Sequence, residues 1–190
     1  MELAGKVLIA MPGMEDPRFA HSVVLICAYG PDSAMGLIIN KPSDEMDFSG
    51  ILRHLGIAPT TAAREIRVRF GGPVERGRGF VLHSSDWHSP DWQGGDGAAM
   101  ELPGGLRLTA TLDVLEALAR GGGPEQALLA LGYAGWGAGQ LENEILRNDW
   151  LVADAAPDLI FDPADAGKWA RALRQLGIDP VTLSPVPGRA

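Results

Sequence analysis

His83 ends an apolar run, Gly79-Phe80-Val81-Leu82-His83, and Ser84, Ser85 and Asp86 follow it at once. A histidine beside hydroxyls and a carboxylate has the group types of a nucleophile, base and orienter. Two features weigh against that chemistry. The sequence contains no G-x-S-x-G elbow, the strained turn that presents a nucleophilic serine. Adjacent strand residues also point to opposite faces, so His83 and Ser84 do not face one another. A strand-end histidine bonded to backbone is the plainer expectation, and no residue is assigned as catalytic. A hydrolase or transferase using His83 and a nearby carboxylate stays open as the enzymatic alternative. His83 and His88, with Asp86 and Asp91, also raise metal binding. Zinc sites need three or four convergent nitrogen or sulfur ligands, and two histidines in an acidic loop fall short. Cys27 is the single cysteine and lies inside Val23-Val24-Leu25-Ile26-Cys27. It reads as a buried small hydrophobe, with no disulfide and no metal pair. Neither a metal nor a cofactor is expected.

Binding chemistry is better represented. Gly71-Gly72-Pro73-Val74 follows a strand, as a phosphate loop would, but neither G-x-x-x-x-G-K-[ST] nor G-x-G-x-x-G occurs there. Gly135-Trp136-Gly137-Ala138-Gly139 leads into a helix beginning at Gln140. Backbone N–H groups at that start could receive an anion; a tight strand-to-helix turn is the duller alternative. Gln140, Glu142 and Asn143 could offer polar contacts beside Trp136. Arg18 and Asn40 sit near strand boundaries, and Arg18 either pairs with Asp16 or Glu15 or projects into a pocket with Asn40. The candidate ligand-binding set is Arg18, Asn40, Gly71, Gly72, Pro73, His83, Trp136 and Gln140.

The bulk composition narrows the partners. The formal net charge is −8 over 190 residues. The arginines between Arg64 and Arg78 are spaced singly, so no basic cluster forms and direct nucleic-acid binding is disfavoured. No apolar stretch is long enough to cross a membrane, and the short run before Pro12 is not a signal segment. A cytoplasmic single domain spanning 1–190 is expected. Trp87 and Trp92 lie in a long irregular segment from Ser84 to Gly105, and aromatics there suit contact with a second copy of the chain. Homodimerisation is therefore open, alongside an unidentified small molecule or protein partner.

The elements that must position these residues follow from periodicity. Lys6 to Ala10, Ser22 to Ala28 and Met35 to Asn40 are apolar runs that read as strands, the last two as a hairpin. The second run is continuous enough to be buried on both faces. Phe48, Ile51, Leu52 and Leu55 predict a short helix capped by Asp47 and stopped by Gly56. Glu65 to Phe70 alternates, which puts Arg67 and Arg69 on a wet face. Further strands are expected at Gly79 to His83, Leu106 to Ala110 and Trp150 to Ala153. Asp113 and Glu116 have the spacing of a cap for a helix ending at Gly121. Gln126 to Tyr133 fits helix or strand. Helices are expected over Gln140 to Asn148 and Asp165 to Gly177, and Asp158, Asp162 and Asp165 read as turn and cap residues.

Three segments together resemble the AlgH/YqgE family of bacterial proteins. They are Met11-Pro12-Gly13-Met14-x-Asp16-Pro17-x-Phe19 with Gly36-Leu37-Ile38-Ile39-Asn40-Lys41-Pro42, then Gly71-Gly72-Pro73-Val74 with Gly79 to His83, then Gly132-Tyr133-Ala134-Gly135-Trp136-x-x-Gly139-Gln140-Leu141-Glu142 with Trp150. The resemblance runs from Leu3 to about Ser184. It implies an α+β (mixed α/β) domain whose strongly bent mixed sheet forms an open pseudo-barrel flanked by helices. It also implies that Gln126 to Tyr133 is a strand. The family is one of unknown function that carries a transcriptional-regulator label, and it supplies no catalytic residues. The reading that results is a non-enzymatic binding protein for a small ligand or protein, with any regulatory role indirect. A regulator that binds DNA directly is the disfavoured alternative.

Overall fold

The computed structural model describes residues 2–89 and 99–183. Trp92, Asp91 and Ser184 lie outside them. Strands β1 (Lys6–Ala10), β2 (Val23–Tyr29) and β3 (Ser33–Ile38) are followed by α1 (Phe48–His54), β4 (Arg67–Phe70) and β5 (Val74–Ser84). Then come β6 (Ala99–Leu102), β7 (Leu106–Thr109), α2 (Leu112–Ala119), β8 (Ala127–Gly137), α3 (Gln140–Leu146), β9 (Trp150–Asp154), α4 (Pro157–Phe161) and α5 (Asp165–Gln175). The nine strands of the described residues join one curled, half-barrel sheet in the order β6-β7-β5-β8-β3-β2-β1-β9, with β4 pairing β8 in parallel.

The continuous apolar run of β2 is explained by cover on both sides. Val23 and Leu25 join a core with Leu159, Ile160, Ala172 and Leu173 of α4 and α5. Val24 and Ile26 point the other way, against Leu141 of α3 and Trp150 of β9. None of these four β2 side chains touches solvent, and each contributes roughly 1.5–3 kcal/mol of burial. A third core, on the face carrying Val81 and Leu129, is roofed by Ile51 and Leu52 of α1 and Val114, Leu115 and Leu118 of α2.

Most expected elements form, including the β2–β3 hairpin and α1. The Asp47 carboxylate accepts from Gly50 N at 2.7 Å, as an N-cap should. Four points are settled or changed. Ala127 to Tyr133 is strand, as the resemblance implied, and β8 runs on through Gly137. The segment read as irregular from Ser84 to Gly105 contains β6, because Ala99 to Leu102 pairs with β7. The cap position of α2 is Thr111, with Asp113 inside the first turn accepting from Val114 N at 3.0 Å. Arg69 is not on a wet face: Arg67 is exposed, but Arg69 is only 2% exposed.

The fourth change has an electrostatic cause. Helix α5 lands over the end of β4, and Asp165 holds Arg69 at 2.8 Å. Asp165 is thus a buried ion-pair residue rather than a turn or cap. Arg69 Nε also donates to Ile39 O at 3.1 Å. Lys168, one helical turn on, is fully buried and donates to Ile39 O at 3.0 Å and to Ile160 O at 2.7 Å. Two cations share one carboxylate. Burial, reinforced by the Arg69 charge, pushes the Lys168 ammonium down from 10.5 to about 8. As a neutral amine Lys168 keeps two donors for its two carbonyls, and Arg69 and Asp165 then balance.

The native chain therefore binds fewer protons than the unfolded chain between about pH 8 and 10.5. Stability from this group rises with pH across that window. In paired urea titrations at pH 7.5 and 10, wild type should gain about 1–2 kcal/mol relative to Lys168→Met as pH rises. A difference that does not move with pH would show that Lys168 carries no buried-charge penalty.

Candidate ligand-binding site

The backbone irregularity that shapes this site lies in β5. Val74 pairs with Tyr133, but the next pair on β5 is Gly79 with Leu131. Residues 75–78 therefore loop out of the ladder as a wide bulge, and Glu75 adopts φ 48°. Bulges redirect side chains, and this one carries Arg76 and Arg78. The guanidinium of Arg78 lies 5.0 Å from the Phe80 ring centre, and that of Arg76 lies 5.7 Å from the Phe70 ring. Arg76 pairs with Glu45, and Arg78 sits 3.4 Å from Glu75. These exposed pairs are worth about 0–1 kcal/mol and can be exchanged for a ligand.

Two clefts flank the bulge, and Arg78 borders both. One, of about 510 Å³, is walled by Met35, Val74, Phe80, Met100, Tyr133 and the edge of Trp136. Phe80 and Tyr133 meet edge to face at 6.0 Å. Val74 and Met100 are among the large apolar side chains left exposed. The other, of about 400 Å³, lies between α1, the bulge and α2.

The residues singled out from sequence do not converge on one cleft. Trp136 borders the larger cleft, but its indole N–H donates to Glu144 Oε2 at 2.9 Å. Trp150 donates to the same oxygen at 2.8 Å, and Gln140 Nε2 donates to Glu144 Oε1 at 2.9 Å. Gln140 Oε1 in turn accepts from Gly137 N at 3.1 Å. Trp136 and Gln140 thus meet at Glu144, which ties α3 to β8 and β9. Gly139, at φ 69°, makes the strand-to-helix turn. Asn40 closes a loop, accepting from Val23 N at 2.8 Å and donating to His21 O at 2.9 Å. Arg18 chelates Asp16, with Nη2 to Oδ2 at 2.6 Å, beside a smaller cleft near Lys41 and Phe70. Gly71 and Gly72 are crossed by the backbone of Gly132 to Ala134, and Pro73 leads from them into β5.

His83 is buried. Its Nδ1 lies 2.7 Å from Ser84 O, which fixes the proton there, and its Nε2 accepts from the Thr109 hydroxyl at 2.9 Å. Desolvation first, and the Arg107 charge further, hold its pKa below 6.5. Asp86 accepts from Glu125 N at 2.9 Å and Asp113 from Val114 N at 3.0 Å, while both imidazole nitrogens are taken by Ser84 and Thr109, so neither carboxylate orients the ring. The Cys27 thiol, fully buried, is pushed up to about 12 by desolvation. Among the described residues, no three His, Cys, Asp or Glu side chains could hold a metal ion. No described helix is long and apolar enough to cross a membrane.

The AlgH-like family model matches residues 7–181. The chain belongs to the AlgH-like family. It is 57% identical over its full length to a UPF0301 protein of Cereibacter sphaeroides, covering all of both chains. A UPF0301 protein of Paracoccus denitrificans is 54% identical, covering 99% of this chain and 97% of that one. Its fold matches the solution structure of AlgH from Pseudomonas aeruginosa with a TM-score of 0.77 at 40% identity, covering 99% of this chain and 96% of that one. A crystal structure from Corynebacterium diphtheriae matches with a TM-score of 0.68 at 26% identity, covering 92% and 87%. The mixed α/β fold with its curled sheet is thus the AlgH fold, as the sequence motifs implied.

The sequence reading missed the bulge arginines. The signal was present as Arg76-Gly77-Arg78-Gly79, since glycine inside a strand pattern marks a bulge. What could not be read locally was that the bulge opens onto two clefts.

Proposed function

We propose that this AlgH-like chain is a non-enzymatic, cytoplasmic binding protein for a small anion with an aromatic body, taken into the Phe80–Tyr133 cleft. The observation that carries this reading is the placing of Arg78 by the β5 bulge at the edge of an aromatic and aliphatic cleft of about 510 Å³. Ligand sites are typically apolar hollows of this size with a few oriented polar groups. The guanidinium would meet the anionic group, and Phe80, Tyr133 and the exposed Val74 and Met100 would cover the ring. The net charge of −8 favours local over global attraction for anions and speaks against a nucleic-acid duplex. Any regulatory role is then indirect, through the ligand. The described residues give His83 no carboxylate orienter, so the enzymatic alternative gains no support.

The test uses 2-naphthoate followed by NMR. Wild type should bind with a Kd of about 10–100 µM, with shifts centred on Val74, Met100 and Tyr133. Arg78→Ala should weaken binding about tenfold, and 2-naphthalenemethanol should bind as poorly to wild type. No shift up to millimolar ligand, or equal binding of acid and alcohol, would overturn the proposal.

A further inference from the structure

The geometry points to a second, separate site: the cleft between α1, the β5 bulge and α2 takes a free fatty carboxylate, an unbranched chain of about eight to twelve carbons. Three of the large apolar side chains that the fold leaves exposed stand around this one cleft: Met46 at 37%, Leu55 at 40% and Leu112 at 51%. Its floor is the apolar surface of Val81, Leu115 and Leu129. Among the described residues no Phe, Tyr or Trp side chain lines it, in contrast to the cleft across the bulge, so its surface suits a flexible aliphatic chain better than a ring.

The polar atoms are arranged to match. Thr109 also lines the cleft, but its hydroxyl proton is committed to His83 Nε2 at 2.9 Å. His83 is in turn held by Ser84 O at 2.7 Å, so this floor hydroxyl already has its acceptor, and an apolar chain strands no donor there. Arg76 and Arg78 border the cleft on the bulge side, with His54 also along its lining. Glu45, the partner of Arg76, lies on the same border. An incoming carboxylate would replace Glu45 on the Arg76 guanidinium, an exchange of one exposed ion pair for another. The hydrocarbon would then cover Met46, Leu55 and Leu112. A chain with a charged head fits this division of polar border and apolar floor; a fully apolar molecule would leave Arg76 without a role.

Calorimetric titration with butyrate, hexanoate, octanoate and decanoate, each below its micelle concentration, tests the site. Affinity should rise about three- to fourfold per added methylene. Decanol should bind at least fivefold more weakly than decanoate, and Arg76→Ala should lose the same factor. Glu45→Gln should bind decanoate more tightly than wild type. Leu112→Asp, at a half-exposed position in the first turn of α2, should bind at least twentyfold more weakly. Saturating 2-naphthoate should not displace decanoate, so failure here is distinct from failure of the aromatic site. Affinity that is flat with chain length, equal for decanol and decanoate, or unchanged in Leu112→Asp would overturn the assignment. So would sedimentation with anionic vesicles in the absence of decanoate binding, since the chain would then be a bilayer component and not a free acid.

Discussion

Asp165→Ala is expected to lower the unfolding free energy by about 3–5 kcal/mol, a large share of the roughly 5–15 kcal/mol that holds a typical domain together. Asp165 is the carboxylate between Arg69 and Lys168, at 2.8 and 3.5 Å, in a place where Arg69 is 2% exposed and Lys168 is fully buried. Removing it leaves two buried cations. Lys168, already down at about 8, can shed its proton and keep its bonds to Ile39 and Ile160. Arg69 has no such escape, because a guanidinium stays charged in a protein. The loss should therefore be governed by Arg69, and a second substitution should reveal this. Arg69→Met with Asp165→Leu should recover more than half of the lost stability, since an apolar pair of similar volume needs no compensation. Urea denaturation read by circular dichroism measures both. A loss under about 1 kcal/mol for Asp165→Ala would mean that water reaches the cluster.

Gly72→Ala is expected to prevent native folding, or to cost more than about 4 kcal/mol. The chain at Gly71 and Gly72 is crossed by Gly132, Tyr133 and Ala134, and a methyl on Gly72 would coincide with the Tyr133 carbonyl and the Ala134 nitrogen. Backbone atoms of a nine-stranded sheet cannot shift aside as a side chain can. The crossing is also bonded: Gly71 N donates to Leu131 O at 2.8 Å, and Ile38 N donates to Gly71 O at 2.9 Å. Gly77→Ala, in the open bulge with no heavy atom within 4 Å of the new methyl, is the control and should change stability by less than about 0.5 kcal/mol. Thermal unfolding and amide NMR dispersion separate the two outcomes. A Gly72→Ala protein with native stability would return Gly71 and Gly72 to consideration as a ligand loop rather than a packing contact.

The contrast between these two sites shows how much of the protein was legible locally. The β2 run from Val23 to Cys27 and the helical spacing of Trp169, Ala172 and Leu173 name their own elements, because burial repeats with the period of the backbone. The Asp47 cap could be read for the same reason, since its partner, Gly50, is three residues away. Arg69 could not. Alternation correctly put it on the face of Arg67, but alternation only sorts side chains between two faces. Whether a face meets water depends on which remote segment lands there, and here it was α5, nearly a hundred residues later. Asp165 was misread by the same route: its position before a helix suggested a cap, and its partner lay on β4.

The candidate sites divide in the same way. The sequence by itself determined the family, through three ordered motifs, and most of the strands and helices, through hydrophobic period and glycine stops. It also determined that no recognisable catalytic or phosphate-binding motif is present. Only the tertiary structure decided that Trp136 and Gln140 converge on Glu144, that Gly72 is a crossing of backbones, and that Arg76 and Arg78 stand beside two apolar clefts. The physical reason is range. Period, capping and turn chemistry act over a few residues, whereas a cleft is made by side chains brought together from β3, β5, β6, β7 and β8, and their union appears only once the sheet has curled.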